Sequence, residues 1–286
     1  MGIEQKKKRK RSDQMKFVKN IAFYVILILG AVIMIVPFLW MISTSLKTRG
    51  ATMVMPPQLI PDNITFENYV QITEAFPVLQ FLGNSIIVAV FTTIGQVVLC
   101  SMAAYAFARL EFRGRDMLFL LYLGTMMVPM QVTMTPQFIL MSYFGWLDTY
   151  QGLIMPGVFS AFGTFLLRQF LLTIPKSLEE AAFIDGASHW RIYWQIMLPM
   201  AKPALATLTV FAFMQSWNNY LWPLIMVSQE KMMTLPLGLA TLQGRWETNW
   251  NLMMAGVVIS VIPVLAVYLF AQKYFIKGMT LSGLKE

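Results

Sequence analysis

Six long intervals of this chain contain no Asp, Glu, Lys or Arg, and they limit its fold more than any other feature. They cover residues 20–46, 75–108, 117–147, 149–167, 203–229 and 248–272. About 20 apolar residues let a helix cross a bilayer, and backbone polar groups in lipid must be bonded within a helix or a closed barrel. The 286 residues are 57% hydrophobic and only 13% charged. The sequence therefore predicts an all-α membrane protein with six transmembrane helices.

The intervals also predict how the chain is organised. We place the transmembrane helices near residues 20–42, 83–107, 117–138, 150–168, 203–225 and 252–273. The predicted parts are a basic N-terminus (1–19), the first helix (20–42), an extracytoplasmic loop (43–80), a five-helix core (81–275) with a polar loop at 172–202, and a C-terminal tail (276–286).

The distribution of Lys and Arg predicts the orientation of the helices. Of the 22 Lys and Arg residues, 18 lie in segments that fall on one side of the membrane if the helices cross it alternately. These segments are 1–19, 108–116, 168–202 and 271–286. Because Lys and Arg are concentrated in cytoplasmic loops, we expect both termini to be cytoplasmic. The basic run at residues 6–11 then suits an anchor on anionic lipid, and we predict no nucleic-acid partner.

The polar loop at 172–202 carries the signals of a short helix. Ser177 and Glu180 have the spacing of a capping box, with Ser at the N-cap and Glu at the third helical position. We therefore predict a helix over residues 178–185. Gly186 follows it and suits the left-handed position that ends many helices.

A second helix is predicted directly after the first. Ser188 can cap it, and we expect it to run to about Met197 and to be stopped by Pro199. Helices in a loop between membrane spans indicate that a partner docks there. Glu180 then has two possible roles, closing the capping box or pairing with a basic residue of that partner. His189, the only histidine, is interpreted as a solvated or capping residue.

The sequence contains no recognisable catalytic or energy-supplying site. It lacks the G-x-x-x-x-G-K-[ST] loop that cradles nucleotide phosphates. The single cysteine, Cys100, and the single histidine, His189, make a closed Cys/His metal site implausible. Five of the six predicted spans lack the ionisable groups that proton-coupled carriers use as relays. We predict that the chain is not an enzyme and holds no cofactor or metal of its own.

Polar residues of the fifth predicted span form a candidate substrate path. The path residues are Gln215, Asn218, Asn219 and Trp222. Their spacing of i, i+3, i+4 and i+7 places them on one face of a continuous helix. Buried amides either bond neighbouring helices together or face a water-filled path. The adjacent rings of Trp217 and Tyr220 would suit a sugar, although an aromatic belt at the membrane interface is the alternative.

The polar loop and several other segments resemble a known family. Glu180, Ala181, Ala182 and Gly186, followed by Ile196, Leu198 and Pro199, have the spacing EAA-x3-G-x9-I-x-L-P. This spacing is typical of permease subunits of binding-protein-dependent bacterial ABC importers. The segments at 81–85, 217–224 and 278–285 are similar to the carbohydrate-uptake branch and its MalG-like subunits.

The resemblance implies a type I importer permease fold in the bacterial cell membrane and a set of partners. These are a second homologous permease subunit, two cytosolic ABC ATPase subunits that bind ATP and Mg, an extracytoplasmic solute-binding protein and a carbohydrate. It also implies an ATPase-coupling role for Glu180, Ala181, Ala182, Asp185 and Gly186. A contact of the tail with the ATPase is implied for Gly283, Leu284 and Lys285.

Two alternatives remain open from the sequence. The first is an importer of a sugar derivative such as glycerol 3-phosphate, although a phosphate group favours Arg or Lys near its path. The second, from a different class, is a passive channel or membrane scaffold, which would have no need of the docking loop. In several relatives the partner permease makes most of the sugar contacts, so this chain is not required to make them.

Overall fold

The computed structural model describes residues 2–52, 54, 56–243 and 248–282, and its regular elements are helices. In this part of the chain the α-helices are α1 (Gly2–Ser45), α2 (Glu67–Ala75), α3 (Val78–Arg109), α4 (Arg115–Gly124), α5 (Met130–Tyr143), α6 (Tyr150–Ile154), α7 (Ala161–Leu172), α8 (Ser177–Ile184), α9 (His189–Ile192), α10 (Leu198–Met200), α11 (Lys202–Trp217), α12 (Leu221–Met226), α13 (Leu235–Thr241) and α14 (Trp250–Ser282). A π-helical segment, Tyr193–Met197, joins α9 to α10.

Three helices are each long and apolar enough to cross a membrane. Three bent pairs of helices supply at most three further spans, one for each pair. The single helices contain the spans Lys19–Ser45, Val78–Arg109 and Trp250–Gln272. The bent pairs, counted among the described residues, are Arg115–Met127 with Met130–Tyr143 (99°), Tyr150–Gly157 with Ala161–Leu172 (43°), and His189–Met200 with Lys202–Trp217 (78°). The structure thus has three to six candidate spans.

The third predicted span is not one helix. Its two halves, α4 and α5, are separated at Val128 and Pro129 and meet at an angle of 99°. Proline fixes its own backbone angle and disfavours helical geometry in the residue before it. Val128 is accordingly extended, with φ −86° and ψ 116°. The span predicted over 117–138 is therefore interrupted at Pro129, one of the prolines expected to break or bend a helix.

The fifth predicted span, 203–225, is also broken. α11 ends at Trp217 and α12 begins at Leu221. Asn218 Nδ2 donates to the Met214 carbonyl, 2.9 Å away, and Asn219 Oδ1 accepts a hydrogen bond from the Trp222 N–H at 3.2 Å. Asparagine side chains that bond nearby backbone groups compete with the helix and favour its ends.

The chain packs as two compact units. The first comprises residues 1–72 and 245–258, and the second comprises residues 73–244 and 259–286. In the first unit the buried Lys47 ammonium donates to the Gln58 carbonyl at 2.6 Å and lies 4.5 Å from the centre of the Trp40 ring. Asn68 Nδ2 donates to the carbonyls of Ser45 and Lys47, at 2.8 Å each. These bonds fix the segment after α1 onto the end of that helix.

The second unit is built around α3, which packs against α7 and α11. One apolar cluster joins these three helices to the segment that follows α8. Its buried members include Ala104 and Tyr105 on α3, Leu167 on α7, and Leu208 on α11. A second cluster, around Trp222 and Met226, joins α12 to α3, α5, α6 and α13. α3 therefore passes through both clusters.

Candidate functional site

The end of α8 has the geometry that the sequence predicts. Gly186 has φ +78°, in the left-handed region. Its N–H donates to the Phe183 carbonyl at 3.0 Å, and the Ala187 N–H donates to the Ala182 carbonyl at 2.9 Å. This pair of bonds is a Schellman motif, which satisfies carbonyls that the helix end would otherwise leave free. The prediction for Gly186 is confirmed.

The start of α8 differs from the prediction. Lys176 occupies the N-cap, Ser177 is the first helical residue, and no side chain caps the helix. The N–H groups of Glu179 and Glu180 instead donate to the Lys176 carbonyl, at 2.9 and 3.1 Å. Because the Lys176 carbonyl already accepts hydrogen bonds from these N–H groups, the hydroxyl of Ser177 is not needed to cap the helix. The predicted capping box was wrong, and the Glu180 side chain does not close it.

A buried ion pair connects α8 to the end of α3. Arg109 Nε lies 2.9 Å from Glu179 Oε1, and the side chains are 3% and 10% exposed. The two atoms approach closely without hydrogen-bond geometry. The Arg109 guanidinium also donates to the carbonyl of Leu171, in the last turn of α7, and to that of Ile174, just after it. Burial raises the pKa of the Glu179 carboxyl, and the charge of Arg109 opposes that shift.

The second helix of the loop begins as predicted and ends later. Ser188 Oγ accepts a hydrogen bond from the Arg191 N–H at 3.3 Å, which confirms the cap. The helix continues past Met197 to Met200, and Pro199 lies in its last turn. The π-helical segment explains the difference, because its wider turn bonds the Leu198 N–H to the Tyr193 carbonyl and makes room for the proline.

The residues predicted to couple to an ATPase lie mostly on the surface. Glu180, Ala181, Asp185 and Gly186 are exposed, whereas Ala182 is half-buried and packs against the apolar cluster of α3, α7 and α11. α8 therefore presents one face to solvent and rests on the core by the other. The predicted tail contacts, Gly283, Leu284 and Lys285, lie outside the described residues.

A cavity of about 180 Å³ lies in the second unit. Half of its lining residues carry hydroxyl or amide groups, and the other half are apolar. The polar lining residues are Ser85, Thr92, Gln96, Gln137, Ser160, Gln215, Ser216, Asn219 and Thr234. The apolar ones are Val88, Met130, Leu153, Pro156, Gly157, Phe159, Ala212, Trp222 and Pro223. Among the described residues, no Asp, Glu, Lys or Arg lines this cavity.

The four predicted path residues are divided by the break between α11 and α12. Gln215, Asn219 and Trp222 line the cavity, and Asn218 does not. Because α11 ends at Trp217, the four residues do not share one helical face, so that interpretation was wrong. The indole of Trp222 is 3% exposed and donates to the Gly152 carbonyl at 2.9 Å.

The two neighbouring aromatic residues are packing groups. Trp217 is 2% exposed, stacks on Phe213 with ring centres 5.6 Å apart, and donates from Nε1 to the Ser260 carbonyl at 3.2 Å. Its side chain is buried within the protein and does not line the cavity. Tyr220 is half-buried and packs against the cluster around Trp222. Phe159, which the sequence interpretation passed over, is the exposed aromatic residue of the cavity lining.

Polar residues at the start of α3 hold the segment before α13 in place. Asn84 Nδ2 donates to the carbonyls of Lys231 and Met233, at 2.9 Å each, and Asn84 Oδ1 accepts from the Tyr150 hydroxyl at 2.6 Å. Ser85 Oγ accepts from the Leu235 N–H at 2.7 Å. Buried polar groups can either bond neighbouring elements together or face a cavity. Asn84 bonds elements together, and Ser85 does so while also lining the cavity.

Asp148 joins the loop after α5 to the end of α12. Its carboxylate accepts hydrogen bonds from the Ser228 N–H at 2.7 Å, the Ser228 hydroxyl at 2.6 Å and the Gln229 N–H at 2.9 Å. Partial burial opposes ionisation, but these bonds and the charge of Lys231 lower the pKa of Asp148 overall. Sequence reasoning missed this residue. The signal was an isolated carboxylate between two long charge-free intervals.

Comparison with known proteins agrees with the family that the spacing in the polar loop indicates and with the helical fold. Residues 96–281 match the family of the binding-protein-dependent transport system inner membrane component. The chain belongs to this family. It is therefore a multi-pass membrane protein and a permease subunit of the ABC-transporter kind. Permease subunits of this family are non-catalytic.

Individual relatives match nearly the whole chain. The arabinooligosaccharides transport system permease protein of Halalkalibacterium halodurans is 35% identical, covering 97% of this chain and 99% of its own. The sn-glycerol-3-phosphate transport system permease protein of Brucella abortus is 34% identical, with coverage of 92% and 96%. A chain of a bacterial ABC transporter for the acidic polysaccharide alginate is 29% identical, covers 90% of this chain and 96% of its own, and has a TM-score of 0.79.

Proposed function

We propose that this chain is a permease subunit of an ATP-driven importer that moves a neutral di- or oligosaccharide across the bacterial cytoplasmic membrane. Its partners are a second homologous permease, two cytosolic ABC ATPases that bind ATP and Mg, and an extracytoplasmic solute-binding protein. Both termini and the loop carrying α8 face the cytoplasm, as the distribution of Lys and Arg predicts.

The observation that carries the substrate class is the lining of the cavity in the second unit. Hydroxyl and amide groups donate and accept hydrogen bonds, as the hydroxyl groups of a sugar do. A phosphate or carboxylate substrate would favour Arg or Lys at its site, and the described lining contains neither. The lining therefore supports a neutral carbohydrate over glycerol 3-phosphate. Gln215 and Asn219 are the path residues that we keep as candidates for sugar contact.

The coupling role rests on the exposed face of α8. Glu180, Ala181, Asp185 and Gly186 are available to a partner, and the small Ala181 lets another backbone approach closely. Ala182 contributes by seating α8 on the core. The tail residues Gly283, Leu284 and Lys285 are proposed to reach the same ATPase.

A rigid connection links α8 to the cavity. The pair formed by Arg109 and Glu179 ties α8 to the last residue of α3. Ser85, Thr92 and Gln96 line the cavity from the same helix. Gln96 and Arg109 are about 20 Å apart along it at 1.5 Å per residue. We propose that closure of the ATPases moves α8, and that α3 carries the movement to the cavity and switches it from inward- to outward-facing.

Uptake by the native host tests this function. Deletion of this chain should abolish ATP-dependent accumulation of a labelled neutral oligosaccharide, with arabinotriose and maltotriose as the probes, and the wild-type chain should restore it. Labelled glycerol 3-phosphate serves as the anionic comparison and should enter equally with and without the chain. If deletion of the chain abolished only the uptake of glycerol 3-phosphate, the substrate would be this phosphate ester and not a neutral sugar. Uptake of the oligosaccharide without ATP would contradict an ATP-driven importer.

A further inference from the structure

Three helix breaks meet at the cavity of the second unit. They lie at residues 128–129, 158–160 and 218–220, within the third, fourth and fifth predicted spans. A residue in or directly after each break lines the cavity, namely Met130, Phe159 and Asn219. Non-helical backbone at membrane depth is tolerated where it lines a water-filled cavity, and broken helices form the substrate sites of many transporters. The meeting of these breaks favours a substrate site here.

The break at 158–160 is fixed to α3 by the residues that precede Phe159. Gln96 Nε2 on α3 donates to the Gly157 carbonyl at 2.8 Å. Val158 is buried and packs on α3 at Gly95, where an added Cβ would lie 2.6 Å from Val158 Cγ1. A larger residue in place of this glycine would therefore displace the break. These contacts hold the backbone that carries Phe159 at the cavity wall.

The ring of Phe159 is accessible from the cavity. Phe159 is 64% exposed, whereas Trp222, the other aromatic residue of the described lining, is 3% exposed and bonds the Gly152 carbonyl. The amides of Gln215 and Asn219 line the same cavity. Ligand pockets typically combine aromatic walls with a few polar groups that fix the orientation of the ligand. The cavity thus offers a flat apolar surface together with hydrogen-bonding groups.

We infer that Phe159 is a sugar-stacking residue, whose ring packs on the C–H face of one sugar unit of a neutral oligosaccharide. The inference rests on the proposed function and assigns part of the substrate recognition to this chain. A sugar ring carries hydroxyl groups around its edge and C–H groups on its faces. An aromatic ring has an electron-rich face, which suits the C–H groups, while the amides of Gln215 and Asn219 suit the hydroxyl groups.

Phe165 provides a matched control for Phe159. It lies six residues further along the chain, on α7, is 38% exposed and does not line the cavity. Phe159→Leu removes the flat ring and keeps an apolar side chain, and Phe165→Leu makes the same change outside the cavity. Phe159→Tyr keeps the ring. Phe159→Met is a second variant without a ring, with an unbranched and adaptable side chain.

The test is equilibrium binding of labelled arabinotriose and maltotriose to the complex purified from the native host through a tag on this chain, without the binding protein. We expect the Kd to rise about two- to tenfold in Phe159→Leu and Phe159→Met, the factor that one aromatic contact supplies. Phe159→Tyr and Phe165→Leu should retain the wild-type Kd. The amount of the second permease that copurifies should be the same in all variants.

The outcomes separate this inference from the proposed function. If the host takes up the sugar but the wild-type complex does not bind it, or binds it with the same Kd as Phe159→Leu, the inference is wrong and the importer stands. An equal rise of the Kd in Phe165→Leu or Phe159→Tyr would also overturn it, because the aromatic ring at position 159 would not explain the change.

Loss of the second permease from both Phe159→Leu and Phe159→Met complexes would overturn the inference in another way. The ring of Phe159 would then contact the partner protein and not the sugar. Absence of both sugar binding by the wild-type complex and sugar uptake by the host contradicts the proposed function itself.

Discussion

Replacing Glu179 by Gln should loosen α8 while leaving the rest of the chain folded. The substitution keeps the size of the side chain but removes the charge that faces Arg109 at 2.9 Å. Removing one partner of a buried ion pair costs about 3–5 kcal/mol, because the remaining charge stays buried without compensation. Arg109 keeps the carbonyls of Leu171 and Ile174 as acceptors, so we take the lower end, about 3 kcal/mol.

This free energy predicts a measurable change in local opening. Because 1.4 kcal/mol corresponds to a factor of ten, a loss of about 3 kcal/mol raises the population of opened α8 about 100-fold. Hydrogen exchange of the backbone amides of residues 180–187, followed by mass spectrometry on the purified complex, reports that opening. Peptides from α11 should exchange at the wild-type rate.

Glu74→Gln is the matched control, since it makes the same chemical change at an exposed position of α2. Surface substitutions of this kind usually change stability by less than about 0.5 kcal/mol. If Glu179→Gln and Glu74→Gln both show the same exchange of residues 180–187 as the wild type, the ion pair does not anchor α8. Faster exchange throughout the chain would likewise refute a local anchor.

Three further predictions concern the ends of the loops. Gly186→Val forces a branched residue to φ +78°, at a cost of at least about 1–2 kcal/mol. Sugar-stimulated ATP hydrolysis by the complex should therefore fall. The control Gly83→Ala, where an added Cβ meets open space, should retain the wild-type ATP hydrolysis. The pKa of Asp148 lies below its ordinary value of 3.8, so its stabilising contribution is complete above that pH and is lost as the pH falls through the lowered pKa; thermal unfolding should show this acid dependence in the wild type and not in Asp148→Asn. In a background without Cys100, a cysteine at position 248 should react with a membrane-impermeant thiol reagent on intact cells, and labelling at position 188 would reverse the proposed orientation.

Local chemistry in the sequence was sufficient to predict the ends of the loop helices. Gly186 and Ser188 have their predicted roles because a left-handed glycine and an N-cap serine act on backbone groups a few residues away. The capping box at Ser177 failed because the Lys176 carbonyl accepts the donors that the serine would have satisfied. Such competition between equivalent acceptors depends on the backbone path and is not encoded in the spacing alone.

Long-range partners lay beyond sequence reasoning. Arg109 and Glu179 are 70 residues apart in the chain, and neither has a local pattern that distinguishes it from its exposed charged neighbours. Hydropathy predicted where apolar helices lie, but breaks at Pro129, at residues 158–160 and at Asn218 divided three of them.

The most direct test of the account is transport by the purified complex in proteoliposomes. The complex, isolated through this chain with its permease partner, ATPases and binding protein, should accumulate labelled arabinotriose or maltotriose only when ATP and Mg are supplied on the side that carries α8. A hundredfold excess of unlabelled glycerol 3-phosphate should leave that accumulation unchanged. ATP-independent equilibration of the sugar, or accumulation of glycerol 3-phosphate in its place, would contradict the assignment of this chain to an ATP-driven importer of a neutral carbohydrate.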